Sequence, residues 1–128
     1  MAGRINISSG AKWEEIVGYS RAVRIGNIIE IAGTVASDGE RVLDDLNAYE
    51  QTKFILAKIE KTLKETGASL KDVIRTRMFV TDISKWNEIG KAHGEYFKEI
   101  KPVTTMVEVK SLISPGLIVE IEATAIIN

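Results

Sequence analysis

The segment from Leu117 to Ile127 constrains the fold more than any other stretch of the chain. A strand turns successive side chains to opposite faces. Leu117, Val119, Ile121, Ala123 and Ala125 therefore share one face, which is wholly apolar. Ile118, Glu120, Glu122, Thr124 and Ile126 share the other, where two carboxylates sit among apolar side chains. The first face has to be buried. The second is neither a pure core face nor a pure solvent face.

Helices are the expected cover for the apolar face. Leu46, Tyr49, Lys53, Leu56, Ile59 and Leu63 follow one another at spacings of three and four, and five of the six are apolar. That is the pattern of an amphipathic helix. Asp44-Asp45 stand ahead of it as caps for its first free amides, and Gly67 stands after it as a left-handed stop. A second helix is expected to start at Ser84 and to carry Trp86, Ile89, Ala92, Tyr96, Phe97 and Ile100. Pro102 ends it, because the residue before a proline avoids the helical region.

The remaining apolar runs read as strands. Arg4 to Ile7 is a short first one. Arg21 to Ile25 and Ile28 to Val35 flank Gly26-Asn27, a two-residue hairpin signal. Val73 to Val80 and Val103 to Val109 follow, and Ser114-Pro115-Gly116 turns the chain into the last strand. The order β-β-α-β-α-β-β places two helices on one face of the sheet, an α+β two-layer sandwich. The other face is left bare. A half-apolar, uncovered sheet face is a subunit interface in waiting, and closed symmetric rings are the common solution.

At 128 residues the chain is expected to be a single domain, 1–128, and its 45% apolar and 27% charged composition is that of a globular protein. A net charge of −1 gives no basic field for phosphates, so nucleic acid is not an expected partner. The absence of cysteine excludes disulfides, thiolate metal sites and a cysteine nucleophile. One histidine excludes a multi-histidine metal site. No phosphate or dinucleotide loop is present, so neither a metal nor a cofactor is expected. No apolar run approaches the roughly 20 residues of a membrane span. Met1 to Gly10 lacks the apolar stretch of a leader, and a cytoplasmic location is expected.

Two positions bear on chemistry. His93 is read as a helix residue near the polar boundary, without a catalytic role. Glu120 and Glu122, two apart on one strand, share a face. A partly buried carboxylate has a raised pKa and serves as acid or base near neutrality. Ion pairing with Arg75 or Arg77 is the plainer role for the same two groups.

Several blocks together resemble the RidA/YjgF/L-PSP family. They are Tyr19-Ser20-Arg21-Ala22-Val23-Arg24-Ile25-Gly26-Asn27, Ile31-Ala32-Gly33-Thr34, Phe79-Val80-Thr81-Asp82, Lys101 to Val109 and Ile118 to Ala123. They run in the family's order over nearly the whole chain. The resemblance implies a chorismate-mutase-like fold and a homotrimer whose sheets line a central barrel. It also implies small-molecule sites in clefts between neighbouring subunits. Members of the RidA type hydrolyse reactive enamines and imines to a keto acid and ammonia.

Carried over residue by residue, the resemblance makes Glu120 the water-positioning, catalytic carboxylate. Tyr19, Gly33, Thr34, Gly90, Thr104, Thr105 and Met106 become ligand-binding candidates. Thr104 stands where the family clamps a substrate carboxylate with arginine, and Gly90 where it has a pocket asparagine. A threonine cannot replace the bidentate guanidinium pair. The expected function is a hydrolytic deaminase acting on a small imine or other non-carboxylate substrate. The alternative is a non-catalytic protein that binds or senses a metabolite. Endoribonuclease or translation-inhibitor activity, an older attribution within the family, fits a slightly acidic chain poorly. Whether Arg24, Arg75 or Arg77 substitutes for the missing arginine is left open by the sequence.

Overall fold

The computed structural model describes residues 3–128. The first two residues of the expected domain, which also begin the Met1 to Gly10 segment, lie outside the described residues. The elements run β1 (Arg4–Ile7), α1 (Lys12–Val17), β2 (Ala22–Ile25), β3 (Ile28–Thr34), β4 (Ser37–Asp38) and β5 (Arg41–Val42). They continue with α2 (Ala48–Glu65), β6 (Val73–Val80), α3 (Trp86–Phe97), β7 (Val103–Glu108) and β8 (Val119–Ile126). The main sheet has the spatial order β1-β2-β3-β8-β6-β7, and β4 and β5 form a separate two-stranded ribbon. All neighbours in the main sheet are antiparallel except β6 and β7. That parallel pair requires a crossover connection, which α3 supplies.

The apolar face of β8 is the core. Val119, Ile121, Ala123 and Ala125 are at most 2% exposed and pack under the helices with Ile29, Ile31, Ile55, Leu56, Ile59, Ile89 and Phe97. Neither α2 nor α3 covers the opposite face, where Glu14 and Glu15 of α1 line a groove with Val23, Glu30, Arg77 and Glu122. Register places Glu120 beside Phe79, Glu122 beside Arg77 and Thr124 beside Arg75 on this face. Val103, Thr105 and Val107 of β7 extend it on one side, and Val23, Ile25, Ile28 and Glu30 on the other.

Local details differ from the sequence reading. The cap of α2 is Asn47, not Asp44 or Asp45. Asn47 Oδ1 accepts from the Glu50 amide at 2.8 Å, and the Glu50 carboxylate accepts from the Asn47 amide at 3.0 Å. This reciprocal box needs Glu or Gln three residues on, which neither aspartate has. The buried stripe of α2 takes in Gln51, Thr52 and Ile55, while Tyr49 and Lys53 lie at its flank and bond Glu95. Gln51 is fully buried because loop backbone needs it. Its amide donates to Leu46 and Gly116 carbonyls, and its oxygen accepts from the Ile118 amide.

Ser84 is not the cap of α3. Asp82 caps a 3-10 turn over Ile83–Lys85, accepting from both the amide and the hydroxyl of Ser84, and α3 follows it. The helix ends at Phe97, and Lys101 takes a left-handed φ of 57° before Pro102. Ile100 therefore lies outside it, and Trp86 is exposed. Helix α1 and the β4–β5 ribbon were not anticipated. Six residues are too few to show a helical period, and α1 leaves Trp13, Ile16 and Val17 exposed.

Candidate functional site

A register shift in β3 builds the site. Ile31 pairs with Ala123, but Thr34 pairs with Ile121, so β3 carries one residue more than β8 over this stretch. Such a bulge re-aims the side chains around it. Gly33 thereby comes down over Glu120, and a Cβ at Gly33 would run into the Glu120 carboxylate. Glycine here leaves the carboxylate its place against the strand, which any larger side chain would take.

The two carboxylates of β8 part company here. Glu122 accepts from Arg77 Nη1 at 3.4 Å on the exposed sheet face, the plain ion pair. Glu120 faces Phe79 instead. Among the described residues no donor or cation within bonding range satisfies it. Burial raises its pKa, the charge of Arg21 partly offsets this, and Glu122 adds to the rise.

Arg21, just ahead of β2, donates from Nη2 to the Gly33 carbonyl at 2.5 Å. Its Nε is buried without a partner among the described residues. Tyr19, Arg21, Gly33, Glu120 and Lys58 of α2 line one groove, with the exposed Trp13 and Ile113 among its walls. Lys58 donates to the Ser37 carbonyl at 3.1 Å.

The other candidates lie elsewhere in the chain. Thr34 is buried and its hydroxyl donates to the Ala32 carbonyl at 2.8 Å. Thr104 points to the helix side of β7, opposite in sense to Glu120. Its Oγ1 shares a 2.7 Å hydrogen bond with Thr76, whose Oγ1 shares a second, of 2.9 Å, with His93 Nε2. His93 is buried in α3 against Phe97, and burial lowers its pKa. Met106 is half-buried against the core, and Thr105 lies on the bare face beside Arg77. Gly90 sits on α3 with open space where a Cβ would stand. The candidates thus form two groups in one chain, one around Glu120 and one on β7 and α3.

None of the three arginines left open by the sequence lines the groove. Arg24 ties the β2–β3 turn to the end of α2, donating to the Gly26 and Thr66 carbonyls. Arg75 and Arg77 belong to the bare face. The cations that do line it are Lys12, Arg21, Lys58 and Lys61, and the half-buried two, Arg21 and Lys58, were missed. Arg21 stands at a variable position of a motif, and Lys58 adjoins the apolar stripe of α2. Neither signal predicts burial.

The family described as Endoribonuclease L-PSP matches residues 10–127. The chain belongs to that family. A solved member of the YjgF/YER057c/UK114 family from Mycobacterium tuberculosis is 50% identical and superposes with a TM-score of 0.88 over 98% of this chain and all of that one. A RutC family protein of Pyrococcus abyssi is 37% identical over 110 residues, 84% of each chain. A 3-aminoacrylate deaminase, RutC, of Acinetobacter baylyi is 32% identical over 108 residues, 84% of this chain and 85% of that one. As an L-PSP family protein the chain has the chorismate-mutase-like sandwich, a mixed sheet with α2 and α3 on one face. Among its described residues no helix is long and apolar enough to cross a membrane.

Proposed function

We propose that the chain is a hydrolytic deaminase of small enamines or imines, acting as a homotrimer with its ligand sites in clefts between subunits. One observation carries this reading: Glu120 is a half-buried carboxylate, unpaired among the described residues, under the Gly33 bulge in an open groove. A base is most effective when its pKa approaches the working pH, and burial moves Glu120 in that direction. Glu120 accepts a proton from water as the water oxygen adds to the imine carbon, giving a carbinolamine. That proton passes to the nitrogen; Glu120 then takes the proton of the carbinolamine hydroxyl and delivers it to nitrogen as the C–N bond breaks, so ammonia leaves and a carbonyl compound stays behind. An enamine first takes a proton on carbon to become the imine. The name of the Acinetobacter relative, a deaminase, lies in the same reaction class.

The trimer is supported by the bare, half-apolar sheet face and by the division of the candidates into two groups. A cleft between copies unites Glu120 of one with β7 of the next. The reading is tested by generating 2-iminopropanoate, and a neutral imine in parallel, and following carbonyl product with time. Acceleration by the natural protein and its loss in Glu120→Ala is the expected result. No acceleration of either imine sinks the proposal. It leaves a metabolite-binding trimer, which the uncharged, internally bonded Thr104 favours.

A further inference from the structure

Three side chains from three elements form one hydrogen-bond chain that runs from the core to the surface. They are His93 of α3, Thr76 of β6 and Thr104 of β7. Thr76 is 0% exposed and His93 9%, whereas Thr104 is exposed on the strand that ends the sheet. His93 Nε2 and Thr76 Oγ1 lie 2.9 Å apart, and Thr76 Oγ1 and Thr104 Oγ1 lie 2.7 Å apart. Among the described residues Thr76 Oγ1 has no third partner.

A hydroxyl carries one hydrogen. Thr76 therefore donates to one neighbour and accepts from the other, so the whole chain points one way. In one direction Thr104 donates to Thr76 and Thr76 to Nε2, which leaves Thr104 its lone pairs for the outside. In the other, Nε2–H donates to Thr76 and Thr76 to Thr104, which leaves Thr104 its hydrogen. The ring lone pair decides between them. It binds a proton near neutrality, whereas an alcohol oxygen does so only in strong acid, so it is the best acceptor in the chain. Burial alone acts on His93 and lowers its pKa, which keeps the ring neutral and the lone pair present. Nδ1, the ring's donor in the first direction, bonds no described residue and is not fully buried, which leaves its hydrogen to water.

We propose that His93 is a positioning residue that, through Thr76, fixes Thr104 as a hydrogen-bond acceptor, and that the group Thr104 receives is the N–H of the substrate imine. The inference rests on the reading above in taking β7 as one wall of the cleft. An unsubstituted imine nitrogen carries one hydrogen and one lone pair, set apart in the same plane. With its N–H given to Thr104, the lone pair turns away from β7, toward the wall that carries Glu120, and is free for the proton that passes to nitrogen. An N-substituted imine has no hydrogen to give. Thr104 thereby selects the substrate by its nitrogen.

His93 is the only histidine, so isotope-labelled ring nitrogens report it alone by magnetic resonance. Near neutral pH Nε2 should carry no hydrogen and Nδ1 should carry one, and Thr76→Val should release the ring to a mixture of both tautomers. A hydrogen on Nε2 in the natural protein overturns the acceptor polarity. Turnover is then compared for 2-iminopropanoate and its N-methyl derivative. The natural protein should prefer the N–H imine by about tenfold to a hundredfold in kcat/KM. Thr104→Val, Thr76→Val and His93→Phe should each bring that preference toward unity. Thr104→Ser and His93→Gln, which put an acceptor back, should keep part of it. A folding defect lowers both rates together and leaves their ratio unchanged. Equal rates for the two imines in the natural protein, or an unchanged ratio in Thr104→Val, overturns the N–H assignment. A ratio lost in Thr104→Val but kept in both Thr76→Val and His93→Phe overturns the role of His93. Hydrolysis of neither imine removes the deaminase, and the imine as ligand with it, while the acceptor polarity is still decided by the ring nitrogens.

Discussion

Glu120 carries an energetic cost at its position. Burial raises its folded pKa above that of the unfolded chain, so the folded state binds more protons across the interval between the two. Its contribution to stability is therefore lost as pH rises through that interval, and the desolvation cost is complete above it. Glu120→Gln should raise the thermal midpoint at pH 8, with the gain shrinking toward pH 4, while imine hydrolysis falls by about 10²- to 10⁴-fold. Unfolding curves at both pH values, beside the rate assay, check this. The rate of the natural protein should fall with acid at a pH above the ordinary carboxylate range. Gly33→Ala makes the complementary test, since its Cβ displaces the carboxylate. Turnover should drop at least tenfold while circular dichroism stays native. At this scale the motifs single out Glu120 and Gly33, which the bulge in β3 brings together. The difference between Glu120 and Glu122 was not legible in the sequence, because it depends on cross-strand partners, Phe79 for one and Arg77 for the other. Arg21 and Lys58 were hidden for a related reason: what buries them comes from residues distant in sequence.

Among the elements, those long enough to show a period were readable, and their ends were not. β6 runs over Val73–Val80 as expected, and Gly67 stops α2 with a φ of 88°. The start of α2 was misplaced because an aspartate pair and an asparagine are equally good caps in isolation. Only the reciprocal bond with Glu50 decides between them. Asn47→Ala should cost about 1 kcal/mol in urea unfolding, and Asp45→Ala, exposed and outside the helix, much less. Equal losses from the two would restore the earlier placement. Helix α1 escaped notice because its apolar residues, Trp13, Ile16 and Val17, face solvent and follow no buried stripe.

For the whole molecule, the alternation of β8 was enough to separate a helix-covered face from a bare one. The proposed trimer should have a native mass near three times the 14.1 kDa chain by light scattering. Ile28 and Val107, exposed on the bare face, test which surface assembles it. Ile28→Asp combined with Val107→Asp should give single chains with unchanged secondary structure, since the side chains are unburied in the isolated fold. A trimer surviving both changes means that another surface holds it. What the alternation of β8 could not reveal is that Glu120 and Thr104 look out from opposite sides of the sheet. In the proposed assembly no chain completes its own site. A lesion at Glu120 and a blocking lesion on β7 then behave as complementing alleles. Mixed and reassembled, two inactive proteins regenerate some working clefts, each built from the sound half of one parent and the sound half of the other.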